Sequence, residues 1–337
     1  MKKITIGPLE DNIPSLFFIT SPFQAMCALE AIQELGISNY MIYVCPGNDA
    51  RDTQLYQYLD EAGVDYLICD YDWSHFFMVC LYPLFCKRKA EYHRAFLGDS
   101  ENILQFHFAY RNLSPNSIIS FVDDGTKAIP ILAGRRKRKI YRYSWAEWLI
   151  RKVLNIQQTR SYFTLFSDIA SPEFECRENK FAHLSKGNSE KNPYGVYFVG
   201  TNSIQYCKKL KIEINQFVAT FEEQILYIKE KYADQPIYFI PHGRDPNEVV
   251  KEICAKHKVV YHPVSKSVEL YMLSLPTRPL AIYANTSTAL FNLKLFYPDA
   301  EFYNIFNIGD KRSTYYADYV MYSEYFEKHG IEWIKDM

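Results

Sequence analysis

The chain has 337 residues and almost balanced charge, with 38 Lys and Arg against 39 Asp and Glu and a formal net charge of -1. A balanced chain offers no long-range attraction to a polyanion, which argues against nucleic acid as a partner. The length favours two domains, and the 48% hydrophobic content is enough for two cores. The eight cysteines form no CxxC pair and the N-terminus lacks the apolar segment of a signal peptide, so we expect a cytoplasmic protein.

The first half of the sequence alternates strand-like and helix-like segments, which is typical of a parallel α/β sheet. Its first helix has Ser21 as a cap and Pro22 in the first turn. Gln24 follows in that turn, where it either faces a cleft or is an ordinary exposed helix residue. Strands are predicted at residues 15–20, 40–44, 66–69, 103–106, 117–122 and 162–166, and helices at 21–35, 53–62 and 72–97.

The alternation resumes after a polar, weakly patterned stretch at residues 171–192, which is predicted to be an interdomain linker. Strands are predicted at 196–199, 236–240, 259–261 and 280–284, and helices at 214–232, 246–256, 267–273, 287–295 and 315–328. The predicted organisation is therefore an α/β chain in four parts. These are a first domain at 1–170, the linker at 171–192, a second domain at 193–310, and a C-terminal segment at 311–337 whose helix could return to the first domain.

Residues 135–139 read RRKRK, and an aromatic and apolar stretch follows to residue 150. Two interpretations of 135–150 stay open. A basic cluster beside an apolar helix is typical of a segment that lies on an anionic membrane, which would attach the protein to the inner face of the cytoplasmic membrane. The alternative is a solvated basic loop followed by an ordinary packed helix.

Three predicted strands end in groups that carry chemistry. The 117–122 strand leads into Asp123 and Asp124, and two adjacent acids repel, so that one pKa rises toward the range of a general base. The 236–240 strand leads into His242, at the edge where α/β sheets build their sites. The 280–284 strand leads into a hydroxyl cluster that opens a helix, a place suited to phosphate. Taken singly, each is also explained by an ordinary turn, a packing histidine or a helix cap.

Several familiar fingerprints do not occur in the sequence. It has no GxGxxG, GKS or GKT for a dinucleotide or P-loop site, and no GxSxG for an α/β-hydrolase. The acid pair has no third carboxylate or histidine at a nearby ligand spacing, so no metal site is predicted.

Together the three strand ends resemble the bacterial sialyltransferases of the GT-B type. These include the lipooligosaccharide sialyltransferases, the capsular polysialyltransferases and the marine-bacterial enzymes, in glycosyltransferase families 52, 38 and 80. Asp123-Asp124-Gly125 is similar to their acidic motif, and Thr286-Ser287-Thr288 to their Ser-Ser/Thr motif. His242 matches the histidine of their His-Pro motif, with Gly243 in place of the proline. A literal His262-Pro263 pair is the alternative, and His242 is preferred because it ends a longer apolar strand.

The resemblance implies a GT-B fold of two Rossmann-like domains that face each other across a central cleft. It also implies inverting transfer of sialic acid from CMP-sialic acid to a hydroxyl of a bacterial surface glycan, lipooligosaccharide or capsule, without metal or cofactor. Asp124 would be the general base, with Asp123 beside it, and His242 would protonate or hydrogen-bond the departing phosphate. The other implied donor-site residues are Gly200, Thr201, Pro241, Glu269, Thr286, Ser287 and Thr288, and Ser21 and Gln24 are candidates on the acceptor side.

Two rival functions stay open beside this one. A related GT-B enzyme would use another nucleotide-activated sugar, and a non-catalytic relative would only bind glycans or membranes. The missing proline after His242 keeps the second rival open. The acceptor, the linkage and the number of sugars added are not given by the sequence, and a homodimer is left open as well.

Overall fold

The structure is a computed structural model, which describes residues 13–47, 50–69, 91–135, 161–186, 188–245 and 248–335. The chain divides into two compact units, Met1–His183 and Leu184–Met337. This division lies within the stretch predicted to be the linker. Most of the basic segment predicted at 135–150 falls outside the described residues. Within the described ranges, no helix is both long and apolar enough to cross a bilayer.

The first unit is built on a parallel sheet. Its strands are β1 Ser15–Ile19, β2 Tyr40–Val44, β3 Tyr66–Ile68, β4 Tyr92–Leu97, β5 Leu113–Phe121, β6 Ser161–Thr164 and β7 Glu175–Glu178. Its helices are α1 Pro22–Glu34, α2 Ala50–Glu61, α3 Ile103–Asn112 and α4 Ala128–Leu132, with a short 3-10 turn at Ser167–Ile169. The strand order is β3-β2-β1-β4-β5-β6-β7, with every pairing parallel.

The second unit repeats this plan with a smaller parallel sheet. Its strands are β8 Val196–Val199, β9 Ile237–Ile240, β10 Val260–Tyr261, β11 Ala281–Ala284, β12 Glu301–Asn304 and β13 Glu332–Trp333. Its helices are α5 Ser203–Leu210, α6 Ile214–Lys231, α7 Glu248–Lys256, α8 Val268–Ser274, α9 Thr288–Phe296 and α10 Thr314–Lys328, with a 3-10 turn at Asn188–Glu190. The order is β10-β9-β8-β11-β12-β13.

Buried apolar strands explain why the central elements were predicted correctly. All five residues of β1 are buried, as are all four of β8 and all four of β11. A strand covered on both faces has an almost continuous apolar sequence, which is easy to recognise. Aromatic rings fill both cores: Phe17 stacks on Phe96 with centroids 4.6 Å apart in the first unit, and Phe198 meets Phe221 at 5.4 Å in the second.

Two predicted elements were wrong in the first unit. Residues 103–106, predicted as a strand, form the start of α3, because Asn102 accepts a hydrogen bond from the Gln105 N–H at 3.3 Å and caps a helix there. The helix predicted at 72–97 is contradicted at Tyr92–Leu97, which is β4 and pairs with β1 and β5. The preceding residues of that prediction, up to 90, lie outside the described ranges.

The predicted linker at 171–192 contains a strand that the sequence analysis missed. β7 reads ECRE and pairs with β6 at the edge of the sheet. Edge strands commonly carry charged side chains, so the apolar pattern that reveals a central strand is absent here. The predicted C-terminal helix is present as α10, where Phe326 lies 5.6 Å from Phe291 of α9, within the second unit.

Both sheets have one place where the winding of the chain reverses. In the first sheet this point lies between β1 and β4, and in the second between β8 and β11. In open α/β sheets, ligands bind outside the carboxyl ends of the strands at such reversal points. The loops that follow these strands are therefore where a functional site is expected in each unit.

Candidate functional site

Asp124 lies just beyond the carboxyl end of β5, and hydrogen bonds reach both of its carboxylate oxygens. Gln24 Nε2 donates to Oδ1 at 2.7 Å, and Lys127 Nζ donates to Oδ2 at 2.9 Å. The same ammonium lies 3.8 Å from Asp99, on the loop after β4. Because the Asp124 side chain is still 26% exposed, this member of the acid pair is accessible to a substrate.

The electrostatics of Asp124 suit proton transfer. Burial raises its pKa, and the negative charge of Asp99 raises it further, while Lys127 and Gln24 oppose the rise. A carboxylate with a raised pKa is a stronger proton acceptor than an exposed one, which is the property that a general base needs. Beside it lies a small recess whose polar lining includes Asp99, Ser100, Glu101, Asp124 and Lys127.

Asp123 has a different environment from its neighbour. Its side chain is 1% exposed, Thr164 Oγ1 donates to Oδ1 at 2.6 Å, and Leu165 N donates to Oδ2 at 2.7 Å. Burial raises its pKa to about 7, against the effect of these two hydrogen bonds. Asp123 therefore joins the ends of β5 and β6, and it is not accessible to a substrate.

The two residues predicted on the acceptor side are both used inside the protein. Ser21 Oγ caps α1 by accepting a hydrogen bond from Gln24 N at 3.3 Å. The Gln24 side chain is 1% exposed and donates to Asp124. Gln24 is thus adjacent to the predicted base, but it does not present its amide to an incoming substrate.

In the second unit, the loop after β8 is bonded to the turn after β9. Asn202 caps α5 and donates from Nδ2 to the Arg244 carbonyl at 2.7 Å. Ser203 Oγ donates to Asp245 Oδ1 at 2.6 Å. Gly200 is required by close packing, since a Cβ there would lie 2.7 Å from the Phe239 ring and 3.1 Å from the Ile240 carbonyl oxygen. The half-buried Thr201 follows Gly200.

His242 follows Pro241 at the carboxyl end of β9, and both are half-buried. Arg244 N donates to His242 Nδ1 at 3.2 Å. Because Nδ1 accepts this bond, the neutral ring carries its proton on Nε2, which is then a hydrogen-bond donor. Gly243, which stands where the family has proline, is exposed, and a Cβ there would meet nothing within 4 Å.

The alternative histidine, His262, lies farther from the reversal point. It follows β10 at the edge of the sheet, whereas His242 follows β9, which is next to β8. The His262 ring packs against Tyr271 and Tyr238, with centroids 5.1 Å and 6.3 Å away. The structure therefore places His242 nearer than His262 to the strands where a ligand is expected.

The hydroxyl residues after β11 have two different roles, one for Ser287 and Thr288 and another for Thr286. Ser287 caps α9, and its oxygen accepts a hydrogen bond from Ala289 N at 3.3 Å. A hydroxyl that accepts such a bond retains its own O–H for donation. Ser287 and Thr288 are both half-buried at the start of the helix, where the aligned peptide dipoles favour an anion.

Thr286 is committed to the interior instead. It has a positive φ of 48°, which is rare for a β-branched residue, and it is 7% exposed. Its N–H and Oγ1 donate to Asn304 Oδ1 at 2.8 and 3.1 Å. Asn304 in turn donates to Ser323 Oγ at 2.7 Å. Thr286 therefore fixes the entry into α9 and does not offer its hydroxyl to a ligand.

Glu269 lies at the start of α8 and is 7% exposed. It accepts a hydrogen bond from Asn292 Nδ2 of α9 at 3.0 Å, and burial raises its pKa. This contact joins the helix that carries Glu269 to the helix that Ser287 opens. Among the described residues, no group of three His, Cys, Asp or Glu side chains is arranged to hold a metal ion.

Sequence reasoning missed several residues that shape the two sites. Lys127 and Asp99 had no visible signal, because the contacts that matter depend on the loop geometry after β4 and β5. Asn292 lies inside a predicted helix and Asn304 lies outside every predicted strand, so only the fold reveals their partners. Gly98, which directly follows β4, lies just past the end of the helix predicted at 72–97.

Solved structures of similar fold include a sialyltransferase and two proteins solved with UDP or UDP-GlcNAc. One is the α/β-galactoside α-2,3-sialyltransferase from the luminous marine bacterium Photobacterium phosphoreum, 11% identical over 96% of this chain and 99% of that one, with a TM-score of 0.51. Another is MnaA of S. aureus with UDP, 10% identical over 96% and 84%, with a TM-score of 0.53. A third is UDP-GlcNAc 2-epimerase from Neisseria meningitidis bound to UDP-GlcNAc, 13% identical over 94% and 91%, with a TM-score of 0.50.

These similarities confirm the predicted fold class. The chain has the α/β fold of the GT-B type, with two Rossmann-like units. No protein-family model matches the sequence, and no curated protein matches it.

Proposed function

We propose that this protein is a sialyltransferase that transfers sialic acid from CMP-sialic acid to a hydroxyl of a bacterial surface glycan, with inversion and without a metal ion. The observation that carries the proposal is a difference between the two units. The first presents an accessible carboxylate, Asp124, near its reversal point, and the second presents neutral donors at His242, Ser287 and Thr288. A base and a set of donors are the two requirements of glycosyl transfer to a hydroxyl.

In the proposed reaction, Asp124 takes the proton of the acceptor hydroxyl while that oxygen forms a bond to the anomeric carbon of the donor. The bond between the anomeric carbon and the phosphate oxygen breaks at the same time, and CMP departs. Direct displacement of the phosphate by the acceptor inverts the anomeric centre. No covalent intermediate on the protein is needed.

The second unit would hold the departing phosphate. The Nε2–H of His242 and the hydroxyls of Ser287 and Thr288 are donors of the kind that stabilise developing negative charge. The N-terminus of α9 adds a favourable dipole. CMP carries only one phosphate group, so these donors are sufficient in number to surround it. Glu269 would contact the ribose or the base of the nucleotide, and Gly200, Thr201 and Pro241 would border the nucleotide.

The choice of sialic acid rests on the three motifs together with a sialyltransferase among the structures of similar fold. The second candidate is a transferase with another nucleotide-activated sugar, because other proteins of this fold have been solved with UDP or UDP-GlcNAc. The two candidates differ in the nucleotide that the second unit binds.

Thermal unfolding with CMP, UDP, GDP and ADP tests this choice directly. A ligand that binds only the folded chain raises the melting temperature, and at about 100 times its Kd it stabilises by about 2.7 kcal/mol. We expect CMP to raise the melting temperature more than the other nucleotides do. Incubation with CMP-sialic acid and lactoside should then yield sialylated lactoside, detected by mass spectrometry. Stabilisation by UDP and not by CMP would overturn the sialyltransferase proposal in favour of the second candidate.

Metal independence is part of the proposal and has its own test. The phosphate contacts assigned here are hydroxyls, an imidazole N–H and backbone groups, none of which needs a bridging cation. Transfer should therefore persist in excess EDTA. Loss of transfer that Mg²⁺ or Mn²⁺ restores would contradict this part of the proposal.

A further inference from the structure

We propose that Gln24 is a positioning residue for Asp124, whose carboxylate it holds in the orientation used by the reaction. The proposal rests on the assignment of Asp124 as the base, and it replaces the expectation that Gln24 contacts the acceptor. Its basis is a single side-chain amide that connects the ends of three neighbouring strands.

The orientation of the Gln24 amide is fixed by its own hydrogen bonds. Its Oε1 accepts from Thr20 N at 2.8 Å and from Thr20 Oγ1 at 3.0 Å. Because both groups are donors, the oxygen must point toward Thr20, and the NH₂ group must point the other way. Nε2 then donates to Asp124 Oδ1 at 2.7 Å. Thr20, which follows β1, thus ensures that the NH₂ end of the amide points toward Asp124.

Gly98 supplies the space for this arrangement. It follows β4 directly, and a Cβ at this position would lie 2.1 Å from Gln24 Oε1 and 2.4 Å from its Cδ. A Cβ essentially never approaches another heavy atom so closely, so any side chain at residue 98 must displace the amide. The φ of Gly98 is not in the left-handed region. The requirement for glycine therefore comes from Gln24 and not from the backbone.

Burial separates a positioning role from a binding role. Gln24 is 1% exposed, whereas the Asp124 side chain is 26% exposed. An acceptor can reach Asp124 but not the amide behind it. A carboxylate oxygen has two lone pairs, so Oδ1 can accept from Gln24 and still leave acceptor capacity on the carboxylate for a substrate hydroxyl.

The amide also acts on the charge of Asp124. The charged groups that face this carboxylate are Lys127 on its own turn, Asp99 on the loop after β4 and the buried Asp123 beside it, and Glu101 acts on Lys127. Gln24 donates to the ionised form and therefore opposes the rise in pKa caused by burial and Asp99. Without the amide, Asp124 should lose its proton only at higher pH.

The direct test is an NMR titration of ¹³C-labelled aspartate carboxyls, with the Asp124 signal assigned from Asp124→Asn. In Gln24→Met, which keeps the length of the side chain and removes the donor, the Asp124 pKa should rise, because the hydrogen bond that favours the ionised form is lost. The matched control is Gln33→Met, on the exposed face of the same helix, which should leave the pKa unchanged. An unchanged Asp124 pKa in Gln24→Met would overturn the proposal.

Two further variants separate positioning from damage to the fold. Gly98→Ala keeps Gln24 but displaces its amide, so it should raise the Asp124 pKa as Gln24→Met does. The double variant should have nearly the same Asp124 pKa as Gln24→Met alone. Gln24→Glu keeps the shape and the contact with Thr20, and should raise the pKa most because two carboxyls then face each other. If Gly98→Ala and Gln24→Glu fold and both leave the Asp124 pKa at the wild-type value, the positioning role is wrong.

Kinetics distinguish the failure of this inference from failure of the proposed function. With CMP-sialic acid and lactoside, Gln24→Met should lower kcat and move the acidic limb of the pH profile upward, with little change in the acceptor KM. A higher acceptor KM with an unchanged pH profile would instead make Gln24 an acceptor contact and overturn the positioning role. Full activity of Asp124→Asn would refute the base assignment itself, whatever the titration shows.

Discussion

The carboxyl ends of the two sheets carry opposite chemistries. In the first unit, two carboxyls follow β5, and burial raises the pKa of both. In the second, the loops after β9 and β11 present an imidazole and hydroxyls, and the buried acid Glu269 is bonded to Asn292. One unit is therefore equipped to take a proton, and the other to donate hydrogen bonds to an anion.

This difference is the basis of the proposal that the two units serve two substrates. Both sheets have the same reversal of winding, so both offer a site at corresponding places. What differs is the short sequence that follows each strand. The fold supplies the location, and the residues just past the strand end supply the chemistry. Four variants test whether the two units have these separate roles.

The largest effect is expected for the base itself. Asp124→Asn keeps the size of the side chain but cannot take a proton, so transfer should fall by about 10²–10⁴-fold. CMP affinity should remain unchanged, since the nucleotide is assigned to the second unit. Steady-state kinetics and calorimetric titration measure the two quantities, with Asp65→Asn as an exposed control in the same unit. Loss of CMP binding with transfer intact at saturating donor would reverse the assignment of roles.

The second effect concerns the hydroxyls that open α9. Ser287→Ala combined with Thr288→Ala removes two donors to the phosphate. A hydrogen bond to a charged group contributes about 1.5–3 kcal/mol, so CMP affinity should weaken by at least about tenfold. Ser265→Ala, at an exposed site of the same unit, is the control and should bind CMP like the wild type. Unchanged CMP affinity in the double variant would show that the phosphate does not bind at the start of α9.

A smaller effect should follow loss of the support behind this helix. Asn304→Ala leaves the Thr286 N–H without its acceptor and leaves the Thr286 hydroxyl with Ser323 Oγ at 3.3 Å as its remaining partner. A buried unsatisfied group costs about 1–3 kcal/mol. The melting temperature should fall by several degrees, and CMP affinity should fall with it because Thr286 directs the chain into Ser287. Asn215→Ala, exposed on α6, should change neither. A stable Asn304→Ala protein with normal affinity would show that this network is dispensable.

The last prediction separates the two adjacent acids of the first unit. The pKa of Asp123 rises from 3.8 to about 7 on folding, so between these values the folded chain holds a proton that the unfolded chain has lost. The contribution of Asp123 to stability is therefore full below pH 3.8 and is lost as the pH rises toward 7. Melting curves from pH 4 to 8 should show a weaker decline for Asp123→Asn than for the wild type. Parallel curves would mean that Asp123 does not titrate in this window.

The sequence predicted the strand ends well because buried apolar runs such as β5, β9 and β11 stop abruptly at polar residues. Asp124, His242 and Ser287 were singled out in this way, and the structure places each of them just past a strand end. The hydrogen-bond partners of these groups were not predicted. The amide that donates to Asp124, for example, comes from Gln24, which is 100 residues away in the sequence. Thr286 was misjudged as a phosphate ligand, since nothing in the sequence reveals its positive φ or its bonds to Asn304.

The early part of the first unit shows the limit of local patterns. The segment that forms α3 looked like a strand, and the segment that forms β4 looked like the end of a helix. β4 lies beside β1 at the reversal point and is followed by Gly98, so this error concealed the residue that makes room for Gln24. Membrane attachment through 135–150 stays a prediction, which vesicle binding by the wild type in low salt would test.

Hydrogen exchange with and without CMP tests the division of roles most directly. If the second unit holds the nucleotide, exchange should slow at the loops after β8, β9 and β11 and at the start of α8, around residues 200–203, 241–245, 285–292 and 267–272. The residues around Asp124 should exchange as they do without CMP. Slower exchange confined to residues before about 170, or no change at any CMP concentration, would contradict the account.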